Sequence, residues 1–220
     1  MAGDDDVLAE QIGDTLTGLG WRMWPTSRDT LLYVSPDGLS AAEWILASSP
    51  FTLGGLQVAL QISARPTAGS VLVQWNAYFT TGVPPEALHD FLIALDASAL
   101  PDTGFAEYEV VVAALSRQGW IRDVDRPGTA ATDPGFASHV SLELLPDLIA
   151  DAGLEEDRMG WQAWAEPTFG APYLWCANFS PSVPNELVAI FAASLASPAP
   201  VARHCLPRSA EERLTIVRRD

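Results

Sequence analysis

The segment Trp75-Asn-Ala-Tyr-Phe79 returns one hundred residues later as Trp175-Cys-Ala-Asn-Phe179, and its continuation returns with it. Val83, Pro84, Glu86, Phe91 and Leu95 have counterparts at Val183, Pro184, Glu186, Phe191 and Leu195, so eight positions agree without a gap. A repeat of this length marks a supersecondary unit used twice, and any fold of the chain has to place that unit two times. Residues 1–100 read as a first module, residues 101–200 as a second and residues 201–220 as a C-terminal tail.

The hydrophobic phasing says what the unit is. Val7, Leu8, Ile12, Leu16 and Leu19 recur at helical spacing and Gly20 closes the run, which predicts an amphipathic helix over 5–19. Beyond Trp21 the period falls to two. Leu56, Val58, Leu60 and Ile62 alternate with polar or small residues, and Val71, Val73, Trp75, Ala77 and Phe79 do the same against Gln74, Asn76 and Tyr78, so two half-buried strands are expected. Shorter strands are expected at 31–34 and 42–47, divided by the turn-forming Ser35-Pro36-Asp37-Gly38. Pro84, Pro85 and Glu86 suit a helix's first turn, and Leu88, Phe91, Leu92 and Leu95 give that helix its buried stripe. The second module follows in the same order: a helix over 107–117, Gly119-Trp120 in the place of Gly20-Trp21, strands over 138–144, 159–165 and 172–180, and a closing helix over 184–196. The fold class is therefore α+β, two pseudo-symmetric repeats of helix, antiparallel strand meander and helix, with helices on one face of the sheet.

Composition narrows the functions open to such a chain. Twenty-eight acidic residues against twelve arginines and no lysine give a formal charge of −16, a field that repels phosphate backbones, so nucleic-acid binding by the body is not expected and a protein partner is. Five of the arginines, Arg203, Arg208, Arg213, Arg218 and Arg219, fall in the last 18 residues, which makes the tail the one place where nucleic acid could be contacted. No stretch is apolar for long enough to span a membrane, and the acidic Asp4-Asp5-Asp6 stands where an export signal would be basic, so a cytoplasmic address is expected. Two cysteines, Cys176 and Cys205, are too few for a disulfide framework.

The run Trp175-Cys-Ala-Asn-Phe179-Ser180, followed by Val183-Pro184-Asn185-Glu186-Leu187 and then by Leu195-Ala-Ser-Pro-Ala-Pro-Val-Ala-Arg203, resembles the actinobacterial family called domain of unknown function 317. Members of that family carry a Trp-x-Ala-x-Phe strand, a Pro-x-Glu helix start and a Pro-x-Pro-Val-x-Arg exit, often in two copies. The first copy departs from the pattern at its exit, where Ser98-Ala-Leu-Pro101 stands. The resemblance implies a tandem arrangement and an actinobacterial, Streptomyces-type origin near mobile elements, hence a link to conjugation or defence. It brings no activity, ligand or catalytic residue.

Among individual residues, Trp75, Phe79, Pro84 and Phe91, with Trp175, Phe179, Pro184 and Phe191, read as structural anchors of the repeat, because the aromatic members share a strand face or helix stripe that must pack on something apolar. Copy-specific function is expected in what the repeat does not share. Trp161 and Trp164 are three apart in a strand and so point to opposite faces, one toward the core and one available to a partner, and Trp44 raises the same question in the first copy. With Arg213, Arg218 and Arg219 of the tail, these are the candidate interaction residues. His89, His139 and His204 are far apart and neither cysteine has a ligand-spaced neighbour, so no metal and no cofactor is expected. No Gly-x-Ser-x-Gly elbow or phosphate loop is present, and enzyme activity is not expected. Three readings remain: a non-catalytic protein-interaction module, a nucleic-acid-associated protein acting through its tail, and a small-molecule or enzyme site between the repeats.

Overall fold

The computed structural model describes residues 5–45, 51–98, 108–143, 159–168 and 170–199. The chain runs through α1 (Asp5–Gly18), β1 (Arg22–Pro25), β2 (Thr30–Val34), β3 (Ser40–Ile45), β4 (Thr52–Leu53), β5 (Leu56–Ala64), β6 (Trp75–Thr80) and α2 (Pro85–Ala97). It continues through α3 (Glu109–Arg117), β7 (Ile121–Arg122), β8 (Ala130–Thr132), β9 (Ser138–Glu143), β10 (Gly160–Ala165), β11 (Trp175–Phe179) and α4 (Asn185–Leu195). All the strands join one antiparallel sheet in the order β1-β2-β3-β5-β6-β11-β10-β9-β8-β7, with β4 beside β5. The fold is mixed α+β, mostly sheet.

Each initial helix ends in the same way. In α1 the amide of Gly20 donates to Thr17 O and that of Trp21 to Leu16 O, and in α3 the amide of Gly119 donates to Ser116 O and that of Trp120 to Leu115 O. This is the paired hydrogen-bond pattern of a Schellman close, with Gly20 at φ +82° and Gly119 at φ +88°. The following tryptophan is thereby turned inward in both places, and Trp21 and Trp120 are buried. At the other end of each half, Pro84 and Pro184 stand at the N-caps of α2 and α4, where a missing N–H costs nothing.

The join between β6 and β11 follows the sequence repeat. Ala77 faces Phe179, Tyr78 faces Asn178 and Phe79 faces Ala177, so the positions that the repeat aligns lie opposite one another about Tyr78 and Asn178. Across the six central strands, from β3 to β9, Ala42, Ile62, Ala77, Phe179, Trp161 and Leu142 form one row through paired positions, and none is more than 4% exposed. The four helices, side by side in the order α1-α2-α4-α3, lay their apolar stripes on this face, and one hydrophobic cluster results. At its centre the Phe79, Phe91, Phe179 and Phe191 rings meet edge-on or tilted, with centroids 5.2–5.9 Å apart.

Two strands are shorter than the sequence pattern suggests. The strand expected from Val71 begins at Trp75, and Val71 and Val73 are 91% and 44% exposed instead of packed. The ladder closes where the Gln74 amide donates to Ala64 O, and before that point Ser70 binds Thr67 O through its amide and Leu72 O through its hydroxyl. Backbone groups used in turns are not available to a strand. The strand expected from Pro172 begins at Trp175 for the same reason, since the Leu174 amide donates to Ala165 O and that of Ala171 to Thr168 O. The strands β1, β4, β7 and β8 have four residues or fewer, too short to show a period of their own. No helix among the described residues is long and apolar enough to cross a membrane.

Candidate functional site

Because strand side chains alternate, the neighbours of the buried row face away from the helices. Glu43, Gln61, Tyr78, Asn178, Gln162 and Ser141 follow one another across the sheet through paired positions, a band of polar side chains spanning both halves. Its ends are pinned by charge: Arg28 binds Glu43 at 2.9 Å, and Arg126 binds Glu143 at 2.7 Å while Ser141 donates to the same carboxylate. These pairs are exposed or partly so and worth little individually. At the centre, the Asn76 amide donates to Ser180 Oγ, the Cys176 amide donates to Thr80 Oγ1, and Gln61 Nε2 donates to Asn76 Oδ1.

One member of the band is not satisfied. Asn178 is 2% exposed and its Nδ2 has no hydrogen-bond partner among the described residues. A buried donor left unpaired costs about 1–3 kcal/mol, so such a group calls for an explanation. Trp75 Nε1 is a second orphan, on the helix-covered face, and nothing in the structure explains it.

Beside Asn178 the face turned away from the four described helices is notched. A cleft of about 70 Å³ is lined by Leu53 and Gly54 of the β4–β5 hairpin and by Gln162, Trp164, Tyr173 and Cys176 of the second half. The hairpin comes so close that a side chain at Gly54 would lie within 3 Å of the Tyr173 ring and the Cys176 sulfur. Trp164 is fixed on both sides, stacked on His139 at 5.1 Å and met by the Tyr173 edge at 6.4 Å. His139 in turn meets Thr132 Oγ1 at 3.1 Å and lies 3.4 Å from the buried Glu166 carboxylate, which accepts from the Gly170 amide.

A larger cleft, about 190 Å³, lies at the far end of the first half between Trp21, the Ser35–Ser40 turn and the end of α2. Its polar groups are already engaged: Trp21 Nε1 donates to Asp96 Oδ1, and Asp37 Oδ1 accepts from Ser35 Oγ and the Leu39 amide. These bonds, the Ser35 hydroxyl first, hold the Asp37 carboxyl below its ordinary pKa. Since the folded value is depressed, the stability it contributes is full above the unfolded carboxylate range and fades as pH falls through the folded value. Melting temperature followed from about pH 5 to pH 2 should therefore fall less steeply in Asp37→Asn than in the parent, from a lower start at neutral pH.

The sequence-derived candidates are dispersed. Trp44 and Trp161 are buried in the helix-covered core, and Trp161 Nε1 donates to Asn185 Oδ1 at 2.7 Å. Trp164 lies half-buried on the other face and walls the notch. Trp75, Phe79, Phe91, Trp175, Phe179 and Phe191 are all buried. Arg213, Arg218 and Arg219 lie outside the described residues, as does Cys205. The notch is lined by residues the sequence reading passed over, Gln162 among them, and Asn178 is paired with Gln162 across the strands. Their signal was available as a departure from the repeat, since asparagine stands at 178 where tyrosine stands at 78. Among the described residues no three metal-ligating side chains come together.

A family model, SPDY, a domain of unknown function (DUF317), matches residues 34–101 and 142–201, more than half of the chain. The chain belongs to the DUF317 family. The two DUF317 segments end at equivalent places, just after α2 and α4, and each includes the strand that meets its counterpart at the β6–β11 join. Helix α1, strand β1 and the α3–β8 segment lie outside them. No curated protein and no solved structure matches this DUF317 chain.

Proposed function

We propose that the chain is a protein-interaction module without catalytic function, built from two pseudo-symmetric copies of the DUF317 unit, residues 1–100 and 101–200. The antiparallel join centred on Tyr78 and Asn178, with two phenylalanines contributed from each side, supports the symmetry: it is the self-complementary contact of a two-fold dimer, made here within one chain. The observation that carries the interaction reading is the sheet's edge strand β1, in which Met23 is 51% and Trp24 46% exposed while one backbone edge has no neighbouring strand among the described residues. Exposed tryptophan and methionine beside an open strand edge suit the addition of a partner's strand. The family resemblance supports an actinobacterial setting in a process tied to conjugation or defence, and the acidic N-terminal sequence supports a cytoplasmic one. Capture from such a host with a tagged chain should give a stoichiometric protein that Trp24→Ser loses. Nothing enriched above an untagged control would sink the reading.

A second reading is favoured by the notch. It is formed by the first half's hairpin and the second half's sheet, and it has an unpaired buried amide at its side, which supports a small-molecule site between the repeats.

A further inference from the structure

We propose that the cleft between Trp21, the Ser35–Ser40 turn and the end of α2 binds the guanidinium group of an arginine side chain presented by a protein partner. The proposal rests on the interaction reading for its partner and names what that partner inserts. Two carboxylates, Asp37 and Asp96, line the cleft, and no arginine or histidine does. The bonds from Ser35, Leu39 and Trp21 use Oδ1 of each carboxylate, and neither Oδ2 accepts from another described residue. Ser40 supplies a third acceptor. It lines the cleft at 7% exposure, shares the helix-covered face of β3 with Ala42 and Trp44, and its Oγ makes no hydrogen bond among the described residues. Unlike Trp75 Nε1 and Asn178 Nδ2, that oxygen is not closed to solvent. Three acceptors on a turn, a strand and a helix, two of them charged, ask for a cation with several donors; guanidinium carries five in a planar fork, where ammonium has three on one atom. Pro36, Leu39 and Leu95 give its methylene stem an apolar wall. A volume of about 190 Å³ admits one such side chain and not a whole cofactor.

The charge on Asp96 is what the fold does not ask for. It stands in the last turn of α2, where the negative end of the helix dipole opposes a carboxylate, and no basic residue of that turn offsets it. At the equivalent position in the second half, the end of α4, stands Ala196. The bond from Trp21 needs only an oxygen, which asparagine would supply as well; a bound guanidinium accounts for the charge.

The test titrates the isotope-labelled full chain with Nα-acetyl-arginine amide and, separately, with its citrulline analogue, which keeps the shape without the charge, and its lysine analogue. With the arginine amide, the Trp21 indole and the Leu39 and Ser40 backbone amide resonances should shift together and saturate. The citrulline amide should bind at least about tenfold more weakly, and Asp96→Asn should lose about tenfold in affinity for the arginine amide while melting close to the parent. Equal binding of the citrulline amide would overturn the cation, equal binding of the lysine amide the choice of guanidinium, and the lack of any saturable shift the cleft as a site. Should Asp96→Asn fail to fold, the parent decides: saturation with the Trp21 indole unmoved excludes the cleft. Exchanging Arg203, Arg208, Arg213, Arg218 and Arg219 for glutamine separates the sources of the arginine. Unchanged affinity leaves the cleft to a partner, whereas a gain shows the chain's own arginines competing for it and overturns the partner as source. Capture from the host tests the interaction reading apart from the cleft: a captured protein that Asp96→Asn retains keeps that reading and overturns the inserted arginine, and saturation by the arginine amide with nothing captured keeps the cleft and overturns the partner.

Discussion

Gly160→Ala is expected to destabilise the protein by on the order of 3 kcal/mol or more. Gly160 opens β10 at φ +101°, a region that L side chains rarely adopt. A Cβ built there would lie 2.0 Å from Phe179 O and 2.8 Å from Pro181 N and the Ser180 carbonyl carbon. Every one of those is a backbone atom of the neighbouring strand or its exit, so no side chain can swing aside to relieve the overlap. Relief requires β10 and β11 to separate at the strand next to the join. For a chain of this length, each kcal/mol moves the melting temperature by about 2–4 °C, so a fall of about 10 °C or a failure to fold is the expected reading. Gly18→Ala is the control, because nothing lies within 4 Å of a Cβ at that helical position, and it should be neutral or slightly stabilising.

The next largest effect belongs to the phenylalanine cluster. Phe79 and Phe179 are 0% and 1% exposed, and their rings meet at 5.5 Å across the β6–β11 join. Truncating either to alanine should cost about 3–5 kcal/mol, the lost burial together with a cavity that the surrounding rings cannot fill. Because the two side chains touch, the double variant should cost less than the sum of the single ones, with a coupling of about 0.5–3 kcal/mol. Urea unfolding monitored by tryptophan fluorescence measures all three. Val124→Ala, at a position 93% exposed, should stay within about 0.5 kcal/mol of the parent. If the halves folded as separate units, the coupling between Phe79 and Phe179 would vanish.

That coupling marks the limit of what could be read from the sequence. Helices α2 and α4 and strands β5 and β10 show their period plainly, and Gly20-Trp21 and Gly119-Trp120 announce two equivalent helix ends. The repeated aromatics announce burial as well. What they do not announce is whether each set packs within its own half or against the other, since a Trp-x-Ala-x-Phe strand satisfies both arrangements equally. The join is decided by strand edges, which carry no side-chain signal. The strand starts at Trp75 and Trp175 were hidden for a related reason, because Val71 and Val73 continue the alternation of the strand while the backbone beside them, at Ser70 and Leu72, is bonded in turns. The notch was the least legible part. Trp164 stood out as an unrepeated tryptophan, whereas Asn178 sits inside the repeated motif and shows its significance only once its neighbours are known to leave its amide unpaired.

The central claim is that the two copies are joined through their equivalent strands, with Tyr78 opposite Asn178. Nuclear Overhauser spectroscopy of the labelled chain tests it most directly. The account predicts backbone cross-peaks linking Tyr78 with Asn178, Ala77 with Phe179 and Phe79 with Ala177. A register displaced by even one residue, or strands 75–80 and 175–179 with no cross-peaks between them, would contradict it.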